Sequence, residues 1–253
     1  GGSISTAGHN VVLDGAVLNE LDKFGHLVKS GAGKLTLTSD QSNYNYGVAT
    51  KDSEEIAAVG NTVINGGTLS VAQDEFLGIK QKQFSDGGLT QAEWDRGNLL
   101  IDGGTLEITA GLVSQRTVNI GAAGATIDVV VAGEVNKTEL KGQLKGAIGG
   151  SGGLVKEGDG ILFLNLQSNE YSTDGVETVY ASNNTYVGKT VVKAGVLEVN
   201  TVEHSLGAVA ANIEVELVGG NLKVNDTSTL AKLSLTGAGG AIDTAGSTVT
   251  VGS

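Results

Sequence analysis

Five consecutive residues, Gly149-Gly150-Ser151-Gly152-Gly153, satisfy the G-x-S-x-G spacing that can present a nucleophilic serine. Such a serine needs a sharp strand-to-helix turn, a histidine to take its proton and a carboxylate to orient that histidine. The three histidines, His9, His26 and His204, are scattered along the chain. The serine sits inside a glycine-rich run that opens a repeat, so the spacing predicts a turn there and no catalytic residue.

Carboxylates offer a second chemistry. Polysaccharide-cleaving β-helix enzymes gather Asp or Glu, with Arg or Lys, along one groove. Here Glu107, Glu198 and Lys223 alternate with Leu, Ile and Val, the pattern expected of a solvated strand face. Arg96 and Arg116 are the only arginines. Gly158-Asp159-Gly160 and Asp102-Gly103-Gly104 look like calcium-loading turns, but the tandem nonapeptide that would bind an ion at every turn is missing. Gly31-Ala32-Gly33 and Gly237-Ala238-Gly239-Gly240 lack the Lys-Ser/Thr of a phosphate loop. Asn136-Lys137-Thr138, Asn183-Asn184-Thr185 and Asn225-Asp226-Thr227 read as turns. Neither a metal nor a cofactor is expected. Trp94, Tyr44, Tyr46, Tyr180 and Tyr186 are the candidate binding residues, because amphipathic rings give large contact area at small entropic cost. The competing reading packs these rings beneath their own loops.

The elements that must position these residues follow from a repeat. Gly25-His26-Leu27-Val28-Lys29-Ser30-Gly31-Ala32-Gly33-Lys34-Leu35-Thr36-Leu37 returns without a gap, 127 positions later, as Gly152-Gly153-Leu154-Val155-Lys156-Glu157-Gly158-Asp159-Gly160-Ile161-Leu162-Phe163-Leu164. Thr62 to Val71 returns as Thr190 to Val199, Leu77-Gly78 as Leu206-Gly207, and Asp102 to Ile108 as Val218 to Val224. Ile4-Ser5-Thr6-Ala7-Gly8 echoes as Ile242-Asp243-Thr244-Ala245-Gly246. Inside each unit a glycine turn precedes an apolar-polar-apolar triplet, such as Leu35/Leu37, Leu106/Ile108 or Leu197/Val199. Alternation of period two buries one face of a short strand.

One such coil cannot bury its own apolar side, so the coils must stack. The expected fold is all-β, a right-handed parallel β-helix, or solenoid, with protruding loop insertions. At 20 to 25 residues per coil it would have about ten coils and a length of about 50 Å. Residues 1–253 form a single β-helix fragment, with long units at about 25–150 and 152–253. Insertions interrupt the rhythm at 39–60, where Ser53 to Val59 has the composition of a short helical turn, at 80–97 around Trp94, at about 130–148 and at 167–188.

Composition fits this reading. Forty glycines, 4% aromatics and no Pro, Cys or Met are unusual for a compact enzyme. The net charge of −12 argues against nucleic acid and against an anionic membrane surface. Lack of cysteine suits a chain that crosses an oxidising compartment unfolded. No apolar run reaches the roughly 20 residues of a membrane span. The chain opens without a signal peptide and starts and stops in mid-pattern, as a piece of a longer protein would.

The series G-G-L-V-K-x-G-x-G-x-L-x-L, an Asn/Tyr segment, then T-V-V-x-x-G-x-L-x-V and Leu-Gly resembles the passenger-associated repeat of type V autotransporters. Residues 152–207 carry the fuller version, with Asn169, Tyr171, Asn184, Tyr186 and Gly188 in its middle, whereas 25–78 departs there. The resemblance implies an adhesin of the AIDA type, self-associating ones included, that drives aggregation and biofilm formation. The implied partner is a host-cell receptor or glycan, or another copy on a neighbouring cell. The implied location is the bacterial surface, held only through a membrane barrel beyond Ser253, or secreted. The resemblance leaves open a folding role near the membrane.

Overall fold

The apolar-x-apolar triplets form short strands, and their neighbours in space come from other coils. In a computed structural model the structure describes residues 2–18, 25–42, 46–51, 54–59, 61–78, 99–131, 140–164, 169–171, 178–180, 183–207 and 213–252. Three long sheets make three faces. The first holds β1 (Gly2–Ser5), β3 (Leu27–Ser30), β7 (Thr62–Ile64), β9 (Leu99–Ile101), β12 (Val118–Ile120) and β15 (Ile148–Gly150). The second holds β2 (Val11–Leu13), β4 (Lys34–Leu37), β8 (Thr68–Val71), β10 (Thr105–Ile108), β13 (Ala125–Val129), β16 (Leu154–Glu157), β20 (Thr190–Val192), β22 (Glu214–Leu217) and β25 (Lys232–Leu235). The third holds β11 (Val113–Ser114), β14 (Lys141–Leu144), β17 (Ile161–Leu164), β21 (Val196–Val199), β23 (Asn221–Val224) and β26 (Ile242–Asp243).

Every pairing in these sheets is parallel. Parallel neighbours require a crossover, and here the crossover is the remainder of the coil. The fold is a three-sided parallel β-helix. Nine strands on the second face give a stack about 38 Å long at the usual strand spacing.

Register places like over like. On the second face Leu35, Leu69, Leu106 and Ile127 stand in one column, and all four are fully buried. Ile64, Ile101 and Ile120 do the same on the first face. At roughly 25 cal/mol per Å² of apolar surface removed from water, these columns are the main stabilising term.

The two sequence units do not lie on the same faces. β3, β4, β7, β8 and β10 occupy the first, second, first, second and second faces, whereas their equivalents β16, β20 and then β17, β21 and β23 occupy the second and third. The second unit is therefore turned by one face about the rod axis. The terminal echo continues the rule, since Ile4 stands on the first face and Ile242 on the third. Both echoes make the same turn, with Ala7-Gly8 and Ala245-Gly246 at positive φ and hydrogen bonds His9 N–H to Thr6 O and Ser247 N–H to Thr244 O.

Each unit also carries one short helical turn after its second Gly-x-Leu-x-Val strand. In the first unit it is the 3-10 turn Asp74–Leu77, and in the second it is α1 (Val202–Ser205). Beyond α1, β24 (Ser228–Leu230) pairs in parallel with β27 (Val249–Val251).

Two antiparallel hairpins leave the rod: β5 (Tyr46–Lys51) with β6 (Glu54–Val59), and β18 (Asn169–Tyr171) with β19 (Thr178–Tyr180). The helical turn expected at Ser53 to Val59 is corrected by this finding. Glu54, Glu55 and the alanines favour a helix locally, but β5 offers six residues of backbone to pair, and pairing prevails. Among the described residues no helix is long and apolar enough to cross a membrane.

Leu106→Ala removes a fully buried side chain between Leu69 and Ile127. It should cost about 2–5 kcal/mol in denaturant unfolding. A change below about 0.5 kcal/mol, the size typical of exposed sites, would contradict a continuous interior column.

Candidate interaction surface

Ser151 is exposed in the turn between β15 and β16. A strand, not a helix, follows it, so the backbone lacks the strand-to-helix elbow that activates a serine. Two of the three imidazoles are tied to neighbouring groups. His26 Nδ1 accepts from Asn61 N–H at 2.9 Å, and His204 Nδ1 shares a 2.7 Å hydrogen bond with Asn183 Oδ1. Among the described residues no three His, Asp or Glu side chains gather as a metal-ligand set.

The repeat's lysine has a role that alternation alone did not indicate. Lys29 lies in register between Ile4 and Ile64, and Lys156 between Ile127 and Val192, both with 0% exposure. A buried ammonium is costly unless its three donors are met. Lys29 Nζ donates to Ser30 O at 3.0 Å, Gly31 O at 2.7 Å and Gly66 O at 3.0 Å. Lys156 Nζ donates to Glu157 O, to Gly158 O at 2.7 Å and to Ala194 O at 3.3 Å. In both units the first two carbonyls belong to the lysine's own turn and the third to the next coil, so the side chain clamps two coils together. Burial pushes the Lys156 ammonium down to about 8, against opposing help from Asp128, Asp159 and Glu157. Burial lowers Lys29 as well. Close packing at the clamp explains one glycine of each Gly-Gly or Ala-Gly pair. Gly67 has φ of 61°, and a Cβ there would fall 2.5 Å from Gly31 O and 2.7 Å from Lys29 Nζ.

Glu107 and Glu198 correct the expectation of a solvated face, being 7% and 6% exposed. Coils only about 4.8 Å apart set longer side chains over them. Glu107 accepts from Lys34 Nζ at 2.6 Å and from Ser70 Oγ at 2.8 Å. Glu198 accepts from Lys141 at 2.7 Å, Asn225 at 3.0 Å and Lys223 at 3.3 Å. Burial pushes the Glu198 carboxyl up, but those hydrogen bonds and the charges of Lys141 and Lys223 outweigh it and hold it below the usual range. Lys141 also lies 3.9 Å from the centre of the Phe163 ring. Arg116 is buried on Asp74, Nε to Oδ1 at 3.0 Å, and so ties the 3-10 turn to the start of the third face. These carboxylates are held by bases as structural pairs.

Asp128 differs. It stands in register between Glu107 and Glu157 on the outer side of the second face. Its Oδ1 is buried without a hydrogen-bond partner among the described residues. Burial first, then the charges of Glu107 and Glu157, raise its carboxyl above the usual range, while Lys156 and Lys34 oppose.

The candidate aromatic residues separate into two groups. Tyr186, expected as part of a binding surface, is fully buried, and its hydroxyl meets Thr190 Oγ1 at 2.6 Å. Burial raises its hydroxyl well above the ordinary tyrosine value. The competing packing reading holds for this ring, because the Asn-x-Tyr segment is itself a rung. Thr185 N–H bonds Ile148 O, and Asn184 Oδ1 accepts from Ile148 N–H at 2.7 Å. Tyr46 begins β5 and Tyr180 ends β19, while Tyr44 and Trp94 lie outside the described residues.

Chain order shows where the second group emerges. Third-face strands begin only with β11, so β2, β4 and β8 are each followed by a connection to a first-face strand, whereas β17 on the third face precedes the connection to the Asn184 rung beside Ile148. These connections include 19–24, 43–60, 79–98 and 165–182, with both hairpins inside them. The chain has one tryptophan, five tyrosines and four phenylalanines, and seven of these ten lie in those four connections. Both hairpins lie in connections that lead to the first face although the units differ by one face. In the first unit Ser42, whose Oγ accepts from Val17 N–H at 3.1 Å, precedes the hairpin. In the second unit Asn184, which does the same work on Ile148, follows it. Moving the insertion across the rung cancels the rotation.

Comparison with known proteins agrees with this architecture. The passenger-associated-transport-repeat family matches residues 27–45 and 175–199, which hold the first lysine clamp and the second unit's rung, turn and strand. Those two stretches carry the passenger-associated transport repeat. The chain is also similar to an adhesin autotransporter of Brucella suis biovar 1 (strain 1330), 32% identical over 155 residues, or 61% of the chain. The aligned part spans 3% of that relative's length. No solved structure matches the chain. The passenger belongs at the bacterial cell surface, anchored through the outer membrane or secreted.

Two outcomes follow from the polar sites of the passenger. Lys156→Met strands three clamp carbonyls and should destabilise by about 2–4 kcal/mol in denaturant unfolding. A neutral result would mean the clamp does not hold the coils. For Asp128 the raised folded value means the native state binds the proton more tightly than the unfolded chain. Its contribution is present below the ordinary carboxyl range and is lost as pH rises through the raised value. Asp128→Asn should therefore raise the melting temperature at pH 7 and flatten the rise that the wild type shows on acidification, measured as a difference between the two proteins from pH 4 to 7.

Proposed function

We propose that this chain is one continuous β-helical segment of an autotransporter adhesin, residues 1–253, that works without catalysis as an extended recognition rod. Contact is made with a host-cell receptor or glycan, or with another copy on a neighbouring cell, so that aggregation and biofilm formation follow. The observation that carries this reading is the concentration of seven of the ten aromatic residues in the four connections that lead back to the first face. Tyr44, Tyr46, Trp94 and Tyr180 belong to those connections and are the proposed contact residues, whereas the interior Tyr186 is not among them. Many weak contacts along the rod sum by multivalency between cells. A folding role is a second reading, and the clamps favour it because each joins a coil to its successor.

Display of the passenger on a non-aggregating bacterium separates the two. Combined Tyr46→Ala, Trp94→Ala and Tyr180→Ala substitution should lower attachment and cell settling about tenfold or more, as expected when several anchors of 1–2 kcal/mol are lost, with surface display unchanged. Loss of display with attachment per displayed molecule preserved would instead assign the chain to secretion.

A further inference from the structure

Gly66 is a glycine that the backbone does not require. It lies outside the left-handed region, unlike Gly67 beside it. A Cβ at position 66 would meet Gly31 N at 3.8 Å and Gly31 O at 3.9 Å, which is ordinary contact. The second unit places Ala194 there, between Lys193 and Gly195. Glycine at such a position costs stability relative to alanine, because it loosens the unfolded chain. What it creates is a bare step after Asn65, the one Asn-Gly step in the chain. Asn65 is exposed. Among the described residues neither its side-chain amide nor the Gly66 N–H has a hydrogen-bond partner. The groups on either side are held, with Asn65 N–H on Lys29 O at 2.9 Å and Gly66 O on Lys29 Nζ at 3.0 Å. The nitrogen between them is free.

We propose that Asn65 is a modification site, where the folded rod deamidates through its own backbone without an enzyme. Asparagine is among the thermolabile residues, and a following glycine leaves the approach to its side chain unshielded. The Gly66 nitrogen passes its proton to solvent base and attacks Asn65 Cγ. The new C–N bond closes a five-membered succinimide, the Cγ–Nδ2 bond breaks, and Nδ2 takes up a proton and leaves as ammonia. Water then opens the ring. Opening at Cγ leaves an aspartate at position 65, whereas opening at the main-chain carbonyl leaves isoaspartate, its chain running through Cβ and Cγ. The register that pairs Ile64 with Ile101 sets position 65 level with Asp102, one coil or about 4.8 Å away. A carboxylate there faces a like charge. Isoaspartate also adds one carbon to the main chain between Ile64 and Gly66. The Ile64 column and the Gly66 carbonyl on Lys29 then cannot both keep their register. The change acts on the rod itself, whatever the rod binds.

The test ages the folded chain at body temperature and mildly alkaline pH, then digests it for peptide mass spectrometry. The peptide holding Asn65 should gain about 1 Da, the change from amide to acid, before any other asparagine peptide does. Isoaspartate methyltransferase should label the same peptide. Gly66→Ala should keep the melting temperature and slow the change at least about fivefold, since glycine's extra backbone freedom is lost. Asn65→Asp supplies the charge without the longer main chain, so the aged wild type should melt below it. Deamidation at Asn65 no faster than at other asparagines, or unslowed by Gly66→Ala, overturns the proposal. An Asn65 that stays intact in the folded chain but deamidates in urea overturns it as well, because the turn then protects the step. Aged protein that melts together with Asn65→Asp overturns the isoaspartate consequence.

Discussion

One constraint governs the molecule: no coil can hide its own aliphatic side chains, and only the coils above and below can do it. Backbone ladders fix the spacing, and that spacing fixes which side chains meet. Leu35, Leu69, Leu106 and Ile127 form a column because the ladder leaves them nowhere else to go. The same geometry brings Lys34 and Lys141 over carboxylates that would otherwise face water. Stability is thus a nearest-neighbour property, and polar chemistry on the rod is chiefly a matter of completing contacts between coils.

Much of this was legible in the residues. Period-two triplets bounded by glycines identified the strands, and a gapless repeat identified stacking over hairpin folds. The family resemblance, drawn from the Leu-Val-Lys-x-Gly-x-Gly run, agrees with the passenger-repeat match over residues 27–45. Calling Ser151 a turn also agreed, since a glycine cluster without a following helix cannot form an elbow.

What escaped the sequence depends on the third dimension. Alternation assigns Glu107 and Glu198 to the outer side, which is correct, but it cannot know that lysines one or two coils away will cover them. Lys29 and Lys156 fall on inward positions, where alternation expects an aliphatic residue; two identical exceptions in equivalent places were the available signal of the clamp. The rotation between units was invisible because face assignment needs the number of strands between the copies, and insertions conceal it. Glu54–Val59 was misread since its partner strand, not its own composition, decides its conformation.

The lysine clamp gives the rod a direction. Two of its three acceptors are available as soon as a coil closes, but the third, Gly66 for Lys29 and Ala194 for Lys156, arrives only with the succeeding coil. At an open tip water takes the place of that third acceptor, and adding the following coil exchanges the water for a carbonyl. Assembly proceeding toward the carboxyl end completes each ammonium in turn, whereas fraying from that end exposes one charge at a time.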